Sequence, residues 1–206
     1  MKFVFGYKNK SSSIATAIAV VVFVLSGCAG SDFVRPETSS FVLGKTTQQE
    51  ISQKMGKPYR TGAMEKNGKT LQSTSYAYAN VGGEAQLSGV TAARSQGFYF
   101  LNGTLVGTEF SSSFKTDGTD FDESKVAQIQ KGKSTKADVI RIFGQPGGEY
   151  IAPLIANQTD RALVYLYSQT KGSAFNLRFY MKNLVVPYNE SGVVTDVQYT
   201  AQGNKD

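Results

Sequence analysis

The sequence predicts an α+β protein built from two tandem units, each a helix-helix pair followed by three strands, with the antiparallel sheets packed as one body. Three observations predict it. A helix signature occurs twice, as GKTTQQEISQKMGKP over 44–58 and GKSTKADVIRIFGQP over 132–146. Stretches with the alternation of strands follow each copy. Asn-Gly and Ser-Gly turns then separate the last strands of each unit.

The chain opens on MKFVFGYKNK, with three lysines and no acid, and continues into the apolar run IATAIAVVVFVL over 14–25. A basic start followed by a short apolar run is the layout of a secretory leader, and the run falls short of the roughly 20 apolar residues of a permanent span. Leu25-Ser26-Gly27-Cys28 follows and matches the bacterial lipobox. Small residues admit the processing peptidase to the backbone, and the thiol accepts a diacylglycerol. Cys28 is the single cysteine, so it forms no disulfide within the chain. The expectation is a signal peptide over 1–27 and a lipoprotein held in the membrane by lipid on Cys28, palmitate included. Stable anchoring needs more than one acyl chain. Ala29 and Gly30 stand where an Asp would favour inner-membrane retention. The sorting pattern of such lipoproteins therefore points to the outer membrane, facing the periplasm.

Residues 28–40 are small and polar with one proline, and are expected to be a tether. The first unit spans 41–114, a linker 115–120, the second unit 121–202 and a tail 203–206. In each signature, Thr47-x-x-Glu50 and Thr135-x-x-Asp138 can cap a helix start. Glu and Gln are the usual partners in such a box, so the Asp copy is expected to be weaker. Ile51 with Met55, and Val139 with Phe143, share one helical face. Gly56 and Gly144 suit a left-handed cap, and Pro58 and Pro146 stop the helix. An earlier helix is expected over 123–130, with a fainter counterpart near 37–43.

Strands are expected over 75–79, then 98–101 and 104–110 across Asn102-Gly103, and in the second unit over 163–168, 175–186 and 193–200. Residues 80–97 read as a long Gly-rich connection, mobile or functional. The repeat extends into the strands: Tyr76 and Tyr78 align with Tyr165 and Tyr167, and Gly103 with Gly192, one residue out of step with the helices. A tandem duplication follows.

Composition excludes several chemistries. There is no histidine, and no cysteine beyond Cys28, so His-dependent triads and Cys/His zinc sites are ruled out. No paired-acid motif supports a hydrolase, and the chain is not expected to be an enzyme or to carry a cofactor or metal. Asp117, Asp120, Asp122 and Glu123 lack the spacing of a calcium loop and read as a flexible acidic linker. Gly-Lys-Ser/Thr occurs at Gly44, Gly68 and Gly132, but Ser39, Ala63 and Ala127 occupy the position of the earlier glycine, so no nucleotide is expected. Removing the leader takes three lysines from a formal charge of +6. The remaining body is only mildly basic, and no nucleic-acid partner is expected. Lys125, Lys131, Lys133, Lys136 and Arg141 form a basic stretch that reads as a solvated helical face, or as an attraction for anionic lipid or an acidic partner. Tyr76, Tyr78, Tyr165 and Tyr167 have two readings: sheet core, or an exposed aromatic face that docks a partner.

The Gly-Lys-Thr-Thr and Gly-x-Pro elements, the Tyr-x-Tyr strand and the late hairpin resemble the SmpA/OmlA family, the BamE-like outer-membrane lipoproteins. Duplicated in tandem, the unit resembles the fold of β-lactamase inhibitor proteins. The resemblance implies a protein-binding module, partnered by another envelope protein as an accessory in outer-membrane assembly or envelope integrity. The alternative is an inhibitor or immunity-type protein that binds a periplasmic or secreted enzyme. A BamE-type protein has one such unit, and this chain has two.

Overall fold

The computed structural model describes residues 30–172 and 175–205. Cys28 and the leader lie outside the described residues. The described residues form a single eight-stranded sheet in the order β1 to β8, every neighbouring pair antiparallel. The first half supplies β1 (Arg60–Lys66), β2 (Lys69–Asn80), β3 (Ala92–Leu101) and β4 (Thr104–Ser112). The second supplies β5 (Gly148–Ile151), β6 (Arg161–Lys171), β7 (Arg178–Tyr188) and β8 (Gln198–Gly203). Among the described residues helices are few: α1 (Gln48–Met55), α2 (Lys136–Phe143) and 3-10 turns at Thr38–Ser40 and Glu123–Gln128.

This corrects the expected α+β arrangement of two helix-helix-three-strand units with separate sheets. The first helix of each pair is only a 3-10 turn, each half carries four strands, and the sheet is continuous. The two missed strands have physical reasons. β1, RTGAMEK, is exposed along its whole length and so shows no apolar alternation. Its signal was Asn67-Gly68, with φ of 47° and 71°, the same tight turn as Asn102-Gly103. β5 has four residues and is too short for a period to register.

Residues paired directly across strands share a face. The partners Phe98–Thr108, Thr108–Glu149 and Glu149–Leu163 therefore carry one face from β3 through to β6. Both helices pack on this front face. Ile51 of α1 sits on Tyr76, Phe98, Phe100 and Leu105. Val139 of α2 sits on Leu163, Tyr165, Leu184 and Val186. On the back, Leu71, Val106, Tyr150 and Val164 pack with Leu154 and Ile155 of the β5–β6 connection.

The repeat is visible as hydrogen bonds. The N–H groups of Gly44 and Gln48 donate to the carbonyls of Leu105 and Gly103, at 2.8 and 3.0 Å. Those of Gly132 and Lys136 donate to Val194 and Gly192, both at 2.8 Å. Each helix is thus pinned at its start to the last turn of its own half and the residues just after it. At the other end, the Tyr76 hydroxyl donates to Gly56 O and the Tyr165 hydroxyl to Gly144 O, at 3.0 and 2.9 Å. Both glycines have positive φ with ψ near the extended limit (75°, −154° and 78°, −165°), not the left-handed helical values expected. That region is open only to glycine.

Both capping boxes are complete, and the Asp copy forms the same reciprocal bonds as the Glu copy. Thr47→Ala and Thr135→Ala are each expected to cost about 1 kcal/mol in denaturant titrations. The Asp138 carboxyl is held down to about 2, first by the Arg141 guanidinium and then by the backbone and hydroxyl of Thr135. A depressed carboxyl stabilises the fold above its unfolded pKa of 3.8 and loses that contribution as pH falls through about 2. Asp138→Asn is therefore expected to lower the melting temperature at pH 7 and to lower it much less at pH 2, measured by circular dichroism.

Candidate functional site

The segment before α1 is not a free tether. It crosses the front face as a strap. Gly30 bridges Tyr78 on the open edge of β2. Phe33 then packs on Tyr76, with ring centroids 6.3 Å apart. The Arg35 guanidinium lies 4.5 Å over the Phe110 ring and donates to Pro146 O at 3.1 Å. Phe41 meets Phe98 edge-on at 5.3 Å. One end of the strap is thus attached to the first half and its middle to the second.

Between the strap and the turn that follows α2 lies an open cavity of about 690 Å³. Gln96, Phe98 and Thr108 form its floor, Arg35, Glu37, Phe41 and Val42 one wall, and residues 145–149 with Arg161 the other. The floor exists because β4 and β5 pair through only two residues, Gly107 with Tyr150 and Thr108 with Glu149. Each helix covers its own half, and only Lys136 at the start of α2 reaches this seam.

Four polar side chains of the cleft, Arg35, Gln96, Glu149 and Arg161, are already partnered. Gln96 is buried, and its amide donates to Gly97 O at 3.1 Å and Glu109 O at 3.0 Å. Glu149 lies 2.7 Å from Arg161 and 3.7 Å from Lys136. Its hydrogen bond raises the pKa of the Arg161 guanidinium, against the opposing effect of burial. Burial lowers that of Arg35, partly offset by Asp117 and Glu37, and an arginine keeps its charge through such a shift. Among the described residues, no group of three or more His, Cys, Asp and Glu side chains could hold a metal ion. The arrangement offers recognition by shape, ring edges and paired charges.

The four tyrosines singled out from sequence are mostly internal. Tyr76 and Tyr165 are 4% exposed and Tyr167 is fully buried. Their hydroxyls are pushed up by burial, Tyr167 to about 12 with a further push from Asp120. Only Tyr78 keeps partial exposure, stacked on Phe114 with the ring planes 2° apart. The sheet-core reading describes the other three. The structure brings Tyr76 and Tyr78 to one edge of the front face, and Tyr165 and Tyr167 to the other half. The cleft residues were missed, although Gln96 left a signal: a polar residue at an inward position of β3, in step with Phe98 and Phe100.

The acidic linker is also structural. Asp117 pairs with Arg94 at 3.1 Å, and Asp122 accepts from the Ser124 N–H at the start of the second 3-10 turn. Asp120 and Glu123 flank the Lys182 ammonium at 2.6 and 2.5 Å. Nor do residues 80–97 form one long loop, since β3 begins at Ala92. The rest is stitched down by Gln86 N–H to Ser113 O at 2.7 Å and Thr91 N–H to Thr170 O at 2.9 Å.

Comparison with known proteins gives two findings. Residues 118–198 match the family described as the outer membrane protein assembly factor BamE domain. A crystal structure of a candidate β-lactamase inhibitor protein from Streptococcus mutans aligns over 87% of this chain and 96% of that chain, at 15% identity and a TM-score of 0.39. No curated protein matches the chain.

Proposed function

We propose that the protein is an outer-membrane lipoprotein, anchored through acyl chains on Cys28 and facing the periplasm, that binds another envelope protein as an accessory in outer-membrane assembly or envelope integrity. The BamE-domain match of residues 118–198 supports this class of role, and binding in preference to catalysis. The observation that carries the site is the front-face cleft at the seam. Glu149 is neutralised by Arg161 and Lys136, and Arg35 is engaged by carbonyls and a ring. With Glu149 and Arg35 engaged inside the protein, such a cleft holds no cluster of like charges for a small charged metabolite. It suits a protruding loop of a protein, whose backbone and apolar side chains fill a concave floor.

A photo-crosslinking residue at Val42, half-exposed on the cleft wall, tests this in intact cells. Covalent adducts with a component of the outer-membrane assembly machinery are expected from Val42 and not from Met64 on the edge strand β1. Adducts from Met64 alone would move the binding surface to the sheet edge. Adducts with a soluble secreted enzyme would replace the accessory reading with the inhibitor one.

A further inference from the structure

One end of the sheet differs in chemistry from the other. The register brings several segments to this end. Gly30 pairs with Tyr78 near the end of β2, and Asn80 with Ala92 at the start of β3. Val90 bridges Lys171 at the end of β6, and Lys171 pairs with Arg178 at the start of β7. The rim is therefore continuous from β2 to β7. It carries Val81 at 93% exposure and Phe175 at 100%, with Leu87, Leu177 and Phe179 also exposed. Phe175, Leu177 and Phe179 fall within five residues at the entry to β7, and all three are exposed. At the opposite end, the turns at Asn67-Gly68 and Asn102-Gly103, residues 157–159 and residues 189–192 are polar.

Solvated proteins scatter such side chains singly, and a cluster marks a surface that meets something apolar. The chain itself indicates what. Gly30 is held at this same end, and Cys28 lies two residues before it. Two residues reach at most about 7 Å, so a lipid on Cys28 would enter the bilayer beside the apolar rim. We propose that this rim rests in the interfacial layer of a phospholipid bilayer, with Phe175, Leu177, Phe179, Val81 and Leu87 inserted among the upper acyl carbons. The inference deepens the lipoprotein reading and rests on it for orientation. The anchor holds the molecule at the membrane, and the rim fixes which end faces it, leaving the cleft accessible from the aqueous side.

The chain has no tryptophan, so a single one is a clean reporter. Phe175→Trp and, as control, Met64→Trp would be made in the full chain. Each protein, recovered from bacterial membranes, would be reconstituted into phosphatidylcholine vesicles with and without bromine on the upper acyl carbons. Both sites are exposed, so neither change disturbs packing. An interfacial side chain sits within reach of those bromines, so fluorescence from Phe175→Trp should be blue-shifted and quenched at least about twofold, with Met64→Trp unaffected. Vesicle-bound protein with an unquenched Phe175→Trp would overturn rim docking and leave the anchor standing. Protein that fails to float with vesicles would overturn both. A shielded but unquenched reporter in a species that sediments as a dimer would assign the rim to a second copy of the chain.

Discussion

Gly148→Ala is expected to cost at least about 3 kcal/mol, a fall in melting temperature of about 6 °C or more. A Cβ at this position would lie 1.8 Å from Thr108 O and 2.5 Å from Thr108 C. Both are backbone atoms of β4, so no rotamer change makes room. The strands must separate, and the β4–β5 ladder has only two residue pairs. Behind it, the Tyr99 hydroxyl donates to Glu109 at 2.6 Å, and Tyr150 from β5 donates to the same carboxylate. Forcing β5 outward strains that link too. Gly68→Ala provides the comparison. It has φ of +71° but nothing within 4 Å of the new methyl, so it is expected to cost only about 1 to 2 kcal/mol for the left-handed backbone. Denaturant titration of both variants, followed by near-ultraviolet circular dichroism, decides the matter. Equal costs would mean that the seam yields easily and that the two halves are not held by this approach.

Lys182→Met is expected to cost about 3 kcal/mol, the lower end of the range for breaking a buried ion pair. The lower end applies because Asp120 and Glu123 retain 22% and 30% side-chain exposure, so water supports them when the ammonium is gone. Lys182 itself is 1% exposed, donates also to Phe121 O and lies 4.5 Å over the Phe121 ring. Its stem passes through the core of the second half, and its charge fixes the chain between the two repeats to β7. Burial alone would raise the Glu123 carboxyl, but the Lys182 and Lys205 ammonium groups outweigh it and hold the carboxyl below its usual 4.5. The wild-type contribution is therefore present at neutral pH and lost as pH falls beneath that value. In Lys182→Met this pH dependence should weaken, since Glu123 then keeps only Lys205, at 3.0 Å. Adding Asp120→Asn and Glu123→Gln should restore most of the loss. A triple variant no more stable than the single one would place the cost in lost packing of the lysine stem.

The sequence carried the repeat and the helix ends because those depend on local chemistry. Thr47 with Glu50 and Thr135 with Asp138 sit three residues apart, and nothing distant is needed to complete the boxes. Asn102-Gly103 marked its hairpin for the same reason. The identical dipeptide at Asn67-Gly68 was overlooked because β1 on its far side is solvated on both faces and shows no period. Union of the halves into one sheet was not legible at all. It depends on Gly148 fitting against the Thr108 carbonyl and on a four-residue strand, and neither has a periodic signature. The cleft follows from that union, so it was equally hidden. Lys182 could have been found as a cation in step with Tyr180, Leu184 and Val186, an inward position that demands a counter-charge. The acids that meet it, Asp120 and Glu123, are about sixty residues away in sequence and looked like a linker.

The strand order has a kinetic meaning as well. Each strand lies beside its neighbours in sequence, so a chain emerging N-terminus first can close each hairpin as soon as its second strand appears. No early strand must wait, unpaired and open to aggregation, for a distant partner. The strap is the exception. Arg35 docks on Pro146 across 111 residues of chain, so it settles only after α2 is made. The same contact that closes one wall of the cleft is among the last to form, and the binding surface is completed only in molecules whose second repeat has already folded.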